Sequence, residues 1–241
     1  HLILINLIKM NKLFKIYTCL INLQYWRAYF NLISPLFEFD DLIKNLGNID
    51  KLVDVGSNKG QLGLIVRNYN PNCKIYSFEP QKEFLNLQKK LFFNNSIFYN
   101  LCLGSKNFNT NFNITNRKDS SSLLKPIYFN NTKYKIINKI NVKVRRLDNL
   151  IKLDNKKITL MKLDVQGYEM EVLQGSTKFL KNINYLIIEI SSQKIYHNQK
   201  NYKNIFNFLI KNKFKIVKIF NKNKINKKIF QKDVLFKKIT I

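Results

Sequence analysis

Asp54 interrupts an apolar run, Leu52, Val53 and Val55, two residues before Gly56, and Glu79 closes a second apolar run nineteen residues after Gly60. Between the two acids Gly56, Gly60 and Gly63 follow the spacing G-x-x-x-G-x-x-G. Glycines at the first two positions let the backbone turn sharply and approach a ligand where a Cβ would clash. A helix beginning near Gln61 offers its unpaired N–H groups to an anionic group such as a carboxylate. An acid at the end of the second strand can accept hydrogen bonds from both hydroxyls of a ribose. A dinucleotide site uses much the same parts, but a pyrophosphate needs the closer pair of G-x-G-x-x-G, which is missing. Asp54 stands where a dinucleotide fold places an apolar residue, and an acid there suits a ligand carrying an ammonium and a sulfonium. The segment from Lys51 to Pro80 therefore reads as strand, turn, helix and strand around an adenosyl cofactor, S-adenosylmethionine; the plainer reading is a Gly-containing turn of another α/β protein.

Such a turn needs a sheet behind it. From Gly47 onward apolar strands alternate with helical patterns in the βαβ rhythm of a largely parallel sheet. Phe84, Leu87 and Leu91 mark a helix after Glu79, and residues 97–103 form the next strand. Phe108, Thr110, Phe112 and Ile114 then alternate with Asn107, Asn109, Asn111 and Asn113, as do Ile140, Val142 and Val144 with polar neighbours. These two stretches predict an antiparallel insertion, and the polar loop 115–138 between them is where an acceptor site can be built. The parallel rhythm resumes with a strand over 158–163, a short helix through Glu169 to Leu173 closed by Gly175, and a strand over 186–190. Tyr202, Ile205, Phe206 and Leu209 fall at helical spacing, and 214–220 and 234–239 are the last strands, joined by a Lys/Asn-rich turn read as a solvated loop.

At 241 residues and 45% apolar content the chain fits one α/β domain, 46–241, with an appended segment, 1–45. That segment reads as one or two amphipathic helices packed on the domain; a membrane-surface helix is the alternative, given its Lys content and Trp26. Its longest uncharged stretch, 16–26, is too short to span a bilayer, which takes roughly 20 apolar residues. No small-residue cleavage site follows it, so no signal peptide is expected. The formal charge of +27 invites a nucleic-acid reading, yet only five of the 42 basic residues are Arg (27, 67, 117, 145 and 146). Arg is the usual bidentate reader of bases and phosphates, and 35 Asn accompany the Lys, so we read the charge as compositional background. Cys19, Cys73 and Cys102 lack C-x-x-C spacing, so neither a disulfide framework nor a zinc site is indicated, and the cytoplasm is the expected compartment.

In order along the chain, DVGSNKGQ, KIYSFEP, NLCLGS, the SSSLL segment at Ser120 to Leu124, VRRLDNL, LMKLDVQGYEMEVLQGS and LIIEISSQKIY resemble the FkbM family of methyltransferases. The resemblance runs from about residue 50 to the C-terminus and is most specific over Lys162 to Gly175. It implies a Rossmann-like class I fold, a mostly parallel seven-stranded sheet with its last strand antiparallel. It also implies methyl transfer from S-adenosylmethionine to a hydroxyl of a sugar, glycan or secondary metabolite. Carried over by position, Asp54, Gly56, Asn58 and Gly60 surround the methionine part of the cofactor, Glu79 holds the ribose, and Ser121 and Ser122 fall on the substrate side. Ser57 stands where Ala is more frequent, and Gln166 replaces the frequent Glu of K-x-D-x-E-G, so no catalytic role is carried over to it.

An alcohol is a poor nucleophile while protonated, so a base or a metal must assist. Asp164 and Glu189 lie at the ends of two successive predicted strands, on the edge where open α/β sheets bind ligands. We expect Asp164 as base and Glu189 as the group orienting the acceptor hydroxyl; otherwise Asp164 caps the following helix and Glu189 pairs with a nearby Lys. Two carboxylates are a sparse shell for Mg²⁺, so no metal is expected. Glu169 reads as structural, and His197, near the Glu189 strand, as a solvated loop residue. An RNA-directed methyltransferase is the alternative enzyme, and the alternative class is a non-catalytic module that keeps the cofactor fold and binds a polyanion or anionic lipid.

Overall fold

The computed structural model describes residues 23–30, 33, 36–91, 94–127, 134–152, 157–225 and 228–239. Short runs rich in Ile, Leu and Val form a seven-stranded sheet from β1 (Lys51–Val55), β2 (Lys74–Phe78), β3 (Ser96–Tyr99), β7 (Thr159–Leu163), β8 (Tyr185–Ser191), β9 (Phe214–Ile225) and β10 (Lys228–Lys238). The order is β3-β2-β1-β7-β8-β10-β9, with β10 antiparallel to both β8 and β9 and the other pairings parallel. The chain winds to one side of β1 through β2 and β3, then to the other through β7 and β8. That reversal opens a crevice at the carboxyl ends of β1 and β7, the place where open α/β sheets take ligands.

Side chains alternate across the strands, so each of the central ones feeds two cores. Val53, Met161 and Leu186 face one side, where they meet Val172 and Leu173 of α5 (Glu169–Gln174) and Ile205 and Leu209 of α6 (Tyr202–Lys211). Leu52, Leu160 and Ile187 face the other, against Leu62, Ile65 and Val66 of α3 (Gln61–Tyr69). The same second core takes Tyr25 and Ala28 of α1 (Leu23–Phe30) and Leu42 and Ile43 of α2 (Asp40–Leu46). The expected amphipathic segment is thus seen from Leu23 onward with its apolar face on the sheet-side core. Residues 1–22, and with them most of the stretch 16–26, lie outside the described residues. No helix among the described residues is long and apolar enough to cross a membrane.

The antiparallel insertion forms as expected from β5 (Phe108–Thr115) and β6 (Ile136–Arg145). Its hydrogen-bonded partner strand, β4 (Cys102–Leu103), runs parallel to β6 and corrects the expectation of one strand over 97–103. The break falls at Asn100, whose amide donates to the carbonyls of Glu79 at 3.0 Å and Pro80 at 2.8 Å. Those bonds turn the chain out of the large sheet and across its carboxyl edge. Beyond α4 (Lys82–Leu91), the other correction concerns the last hairpin. The ladder of β9 and β10 continues to the pair Ile225–Lys228, so most of the expected Lys/Asn-rich loop is strand, its backbone groups paired across the hairpin.

The two sheets meet where α5 ends. A Cβ built on Gly175 would lie 1.9 Å from the Gly104 carbonyl oxygen, whereas one on Gly47 would meet nothing within 4 Å. Gly175→Ala should therefore cost roughly 3 kcal/mol, the upper end for overpacking. Gly47→Ala, at a φ of +74°, should cost only about 1 kcal/mol of backbone strain. Urea denaturation of the two variants side by side checks the ranking.

Candidate active site

The carboxyl ends of β1, β2, β7 and β8 open into a cavity of about 600 Å³. The loop leaving β1 must turn within it. Gly56 has a φ of +74°, and its N–H and that of Ser57 both donate to the Phe78 carbonyl at 3.0 and 3.2 Å. A Cβ on Gly56 would lie 1.9 Å from the Asp164 carbonyl oxygen, so this loop and the one leaving β7 touch backbone to backbone. Asn58, at a φ of +50°, donates its N–H to Glu79 Oε2 at 2.8 Å, and Gln81 donates its N–H to Oε1 at 2.9 Å. The Glu79 carboxylate thereby ties the β1 and β2 loops together while lining the cavity. Burial pushes its pKa up to about 7 against the pull of those two donors.

Under this loop lies a polar cluster that the sequence analysis did not single out. Gln88 Nε2 donates to the Asn58 carbonyl at 2.5 Å and to Ser57 Oγ at 2.9 Å, and the Ser77 hydroxyl bonds to Gln88 Oε1. Ser57 therefore occupies its position as a hydrogen-bonded member of a network, 2.7 Å from Ser77 Oγ. The available signal was a Gln on the buried face of α4 and a Ser inside an apolar strand. Gly60, with a φ of +81°, precedes the first turn of α3.

Asp54 sits at the cavity floor, 2% exposed, and its Oδ1 has no hydrogen-bond partner among the described residues. Burial pushes its pKa up to about 6, with Lys162 pulling down and Asp164 adding to the rise. Lys162 is its register partner on β7 and is buried as well. Burial works against the Lys162 charge, but Asp164, Asp54 and Asp233 outweigh it and hold the ammonium above its usual range. Lys162 Nζ lies 2.8 Å from Asp164 Oδ2.

Asp164 and Glu189 come together at the two strand ends, as the spacing predicts. A single group joins them: Gln166 Nε2 donates to Asp164 Oδ1 at 2.8 Å and to Glu189 Oε2 at 3.1 Å. Gln231 Nε2 adds a donor to Glu189 Oε2 at 2.9 Å. Burial, then Asp164 and Asp233, push the Glu189 carboxyl well above the usual carboxylate range, Lys162 opposing. Both acids line the cavity.

The remaining sequence candidates divide. Ser121 lines the cavity, and its Oγ accepts from the Thr115 N–H at 3.1 Å. Ser122 is not among the lining residues; its hydroxyl donates to the Gln166 carbonyl at 2.8 Å and accepts from the Leu124 N–H at 3.0 Å. Glu169 accepts from the Gly167 N–H at 3.0 Å, in keeping with a structural part. His197 is exposed, with its backbone N–H on the Lys125 carbonyl. Its neighbour Tyr196, which the sequence analysis passed over, is buried, and its hydroxyl lies 2.8 Å from the Ser120 carbonyl and 2.9 Å from Gln166 Oε1. Leu36, ahead of α2, also lines the cavity. Among the described residues no group of three or more His, Cys, Asp or Glu is placed to hold a metal ion.

The strand order and the loops that close this cavity define a Rossmann-like class I methyltransferase fold. The model of the methyltransferase FkbM domain matches residues 54–216, more than half of the chain, which belongs to that family of S-adenosylmethionine-dependent methyltransferases. Among solved structures it is similar to the methyltransferase FkbM from Methylobacillus flagellatus KT, at a TM-score of 0.51 and 15% identity, covering 78% of this chain and 43% of that one. The chain thus spans less than half the length of that protein. It is also similar to an rRNA methylase from Streptococcus thermophilus (TM-score 0.49, 13% identity, 86% and 97% of the two chains). A third likeness is to magnesium protoporphyrin IX methyltransferase from Synechocystis PCC 6803 with bound S-adenosylmethionine (0.48, 11%, 91% and 85%). No curated protein matches the chain.

Asp54 and Glu79 both have folded pKa values above their ordinary ones, so the folded protein binds more protons than the unfolded chain between about pH 4 and 7. The stability they contribute is present in full below the ordinary carboxylate pKa and is lost as pH rises through about 6 and 7. Stability without ligand should therefore fall from pH 5 to pH 8. Asp54→Asn should remove about 1 kcal/mol of that fall, one pKa unit being worth 1.36 kcal/mol. Denaturant unfolding at the two pH values measures it.

Proposed function

We propose that this cavity binds S-adenosylmethionine and that the chain transfers a methyl group to a hydroxyl of a sugar, glycan or secondary metabolite. The observation that carries the reading is the buried Asp54 carboxylate with its unpartnered Oδ1 at the cavity floor. A buried, unsatisfied carboxylate is costly in the free protein. A ligand ammonium brought to Oδ1 supplies the missing hydrogen bond and adds its charge to that of Lys162. Gly56 leaves the backbone bare beside it, and the loop through Asn58 and Gly60 closes over the methionine part. Glu79 holds the ribose hydroxyls with the lone pairs that Asn58 and Gln81 leave free.

Bound in this way, the cofactor presents a methyl group on a sulfonium to in-line displacement, for which holding the acceptor oxygen on the methyl axis provides much of the acceleration. Asp164, with its side chain 29% exposed, faces the open cavity and takes the acceptor's proton. Glu189, behind it, orients the hydroxyl. Lys162 holds Asp164 in place. Ser121 and the polar segment around it form the acceptor side, and the described part of the segment 1–45 is carried on the domain 46–241.

Calorimetry with S-adenosylmethionine tests the cofactor site. Binding should release protons near pH 6, because an ammonium at Asp54 lowers its pKa. Asp54→Asn and Glu79→Gln should each weaken binding about tenfold or more, the worth of a charge-assisted hydrogen bond being roughly 1.5–3 kcal/mol. Unchanged affinity in both variants would place the cofactor elsewhere. For the reaction, methyl-labelled cofactor is offered to a panel of glycans, hydroxylated metabolites and RNA. Asp164→Asn should abolish transfer to a hydroxyl acceptor and leave cofactor affinity within a few-fold. Label entering RNA alone, or full turnover by that variant, defeats the assignment.

A further inference from the structure

We infer that Gln166, anchored by the Tyr196 hydroxyl, is the positioning residue that couples Asp164 and Glu189 into one proton-accepting unit. The inference rests on the reading of these two acids as the groups that handle the acceptor's proton. Gln166 occupies a left-handed backbone position, φ +55°, uncommon for a residue other than Gly or Asn. Three contacts hold it there. Its carbonyl accepts the Ser122 hydroxyl, its Nε2 reaches both carboxylates, and its Oε1 meets the Tyr196 hydroxyl. Each hydrogen of the amide nitrogen is thus assigned to a different carboxylate, and only one orientation of the amide allows this while both acids are ionised.

Tyr196 selects that orientation. Its hydroxyl has one proton and two acceptors in reach, the Ser120 carbonyl and Gln166 Oε1. While it donates to Gln166, the amide must turn its N–H groups towards the acids. When both carboxyls are protonated they become donors, and the reverse arrangement becomes available: Tyr196 donates to Ser120, the amide nitrogen donates to the Tyr196 oxygen, and Gln166 Oε1 accepts from the acids; with one proton on the pair, an N–H of the original orientation still serves the acid that remains ionised. Gln166 is therefore a joint that serves the pair in both protonation states. The other charged groups facing the pair are Lys162, Asp54 and Asp233 from the strands and Glu169 from α5, with the Tyr196 phenol beside Glu189. Of these only Lys162 is a cation, and among the described residues Lys162 and Gln231 are the other side-chain donors to the pair, so the two N–H bonds from Gln166 are the ones that serve both acids from a single group.

Carboxyl-carbon NMR of the full chain labelled at Asp and Glu, titrated with pH without ligand, reads this directly, with Glu189→Gln and Asp164→Asn assigning the resonances. Gln166→Met keeps the length of the side chain and removes both donors. The midpoint of the pair should rise by about one pH unit, a tenfold gain in proton affinity. Tyr196→Phe should move it in the same direction by less, with Gln166 still present. A residue that only packs would lower the melting temperature and leave the midpoint alone; unchanged midpoints in both variants overturn the inference. Should Gln166→Met fail to fold, Gln166→Glu replaces the donors by a third acid at nearly the same shape and should raise the midpoint further. Calorimetry with S-adenosylmethionine on the same samples separates the two claims, since failure of the wild-type chain to bind it sinks the cofactor reading while the titration still judges Gln166.

Discussion

Lys162 is the cation around which the ligand edge of the sheet is assembled. Asp54, Asp164, Asp233 and Glu189 converge on this region from four different strands or the turns that leave them, and carboxylates gathered so closely repel one another unless something opposite in charge lies among them. A buried ammonium is itself expensive to remove from water, and it stays charged here because its acidic neighbours outweigh that cost. The balance is incomplete. Among the described residues the Lys162 ammonium faces four acids, and burial first, the surplus of acids second, leave Asp54 and Glu189 with raised proton affinity and the cavity with an acidic floor. Such a floor favours a ligand that brings its own positive charge, as a sulfonium and an ammonium do.

Around that charge balance the loops are fastened by single side chains that each serve two segments. Glu79 holds the loops after β1 and β2 at once through Asn58 and Gln81. Gly56 lets the loops after β1 and β7 touch where any side chain would hold them apart. Ser122 reaches from the insertion to the Gln166 carbonyl, so the small sheet is tied to the carboxyl edge of the large one. Asp148 plays the same part further from the site: it accepts from Arg146, Thr177 and the backbone N–H groups of Lys178 and Phe179, locking the end of the insertion onto the turn after α5. These ties cross between elements, and none is visible as a local pattern.

Much of the architecture was legible because periodicity is a local property. Residues 140–144 alternate in type because one face of a strand is buried, and Tyr202, Ile205 and Leu209 recur at helical spacing because one face of a helix is. The break at Asn100 was not legible, since the apolar run from Ile97 to Leu103 continues through it and only the amide bonds to Glu79 and Pro80 divide it. The long last hairpin was missed for a related reason: Lys and Asn dominate its tip, and composition there pointed to a loop although the backbone pairing continues through it.

By itself the sequence determined the cofactor-type turn, the placing of Asp54, Asp164 and Glu189 at strand ends, and membership in a methyltransferase family, because glycine spacing, strand register and motif order are written along the chain. Only the tertiary structure decided which side chains meet across it. Lys162 became the countercharge of the site because β7 lies beside β1, with Lys162 opposite Asp54. Gln166, set aside as a departure from the family pattern, became the bridge between the two acids because a left-handed turn carries its amide over both of them. Tyr196, and not the more conspicuous His197, entered the network because the chain turns just after the bridge between Pro126 and Tyr196, leaving the tyrosine buried and the histidine exposed.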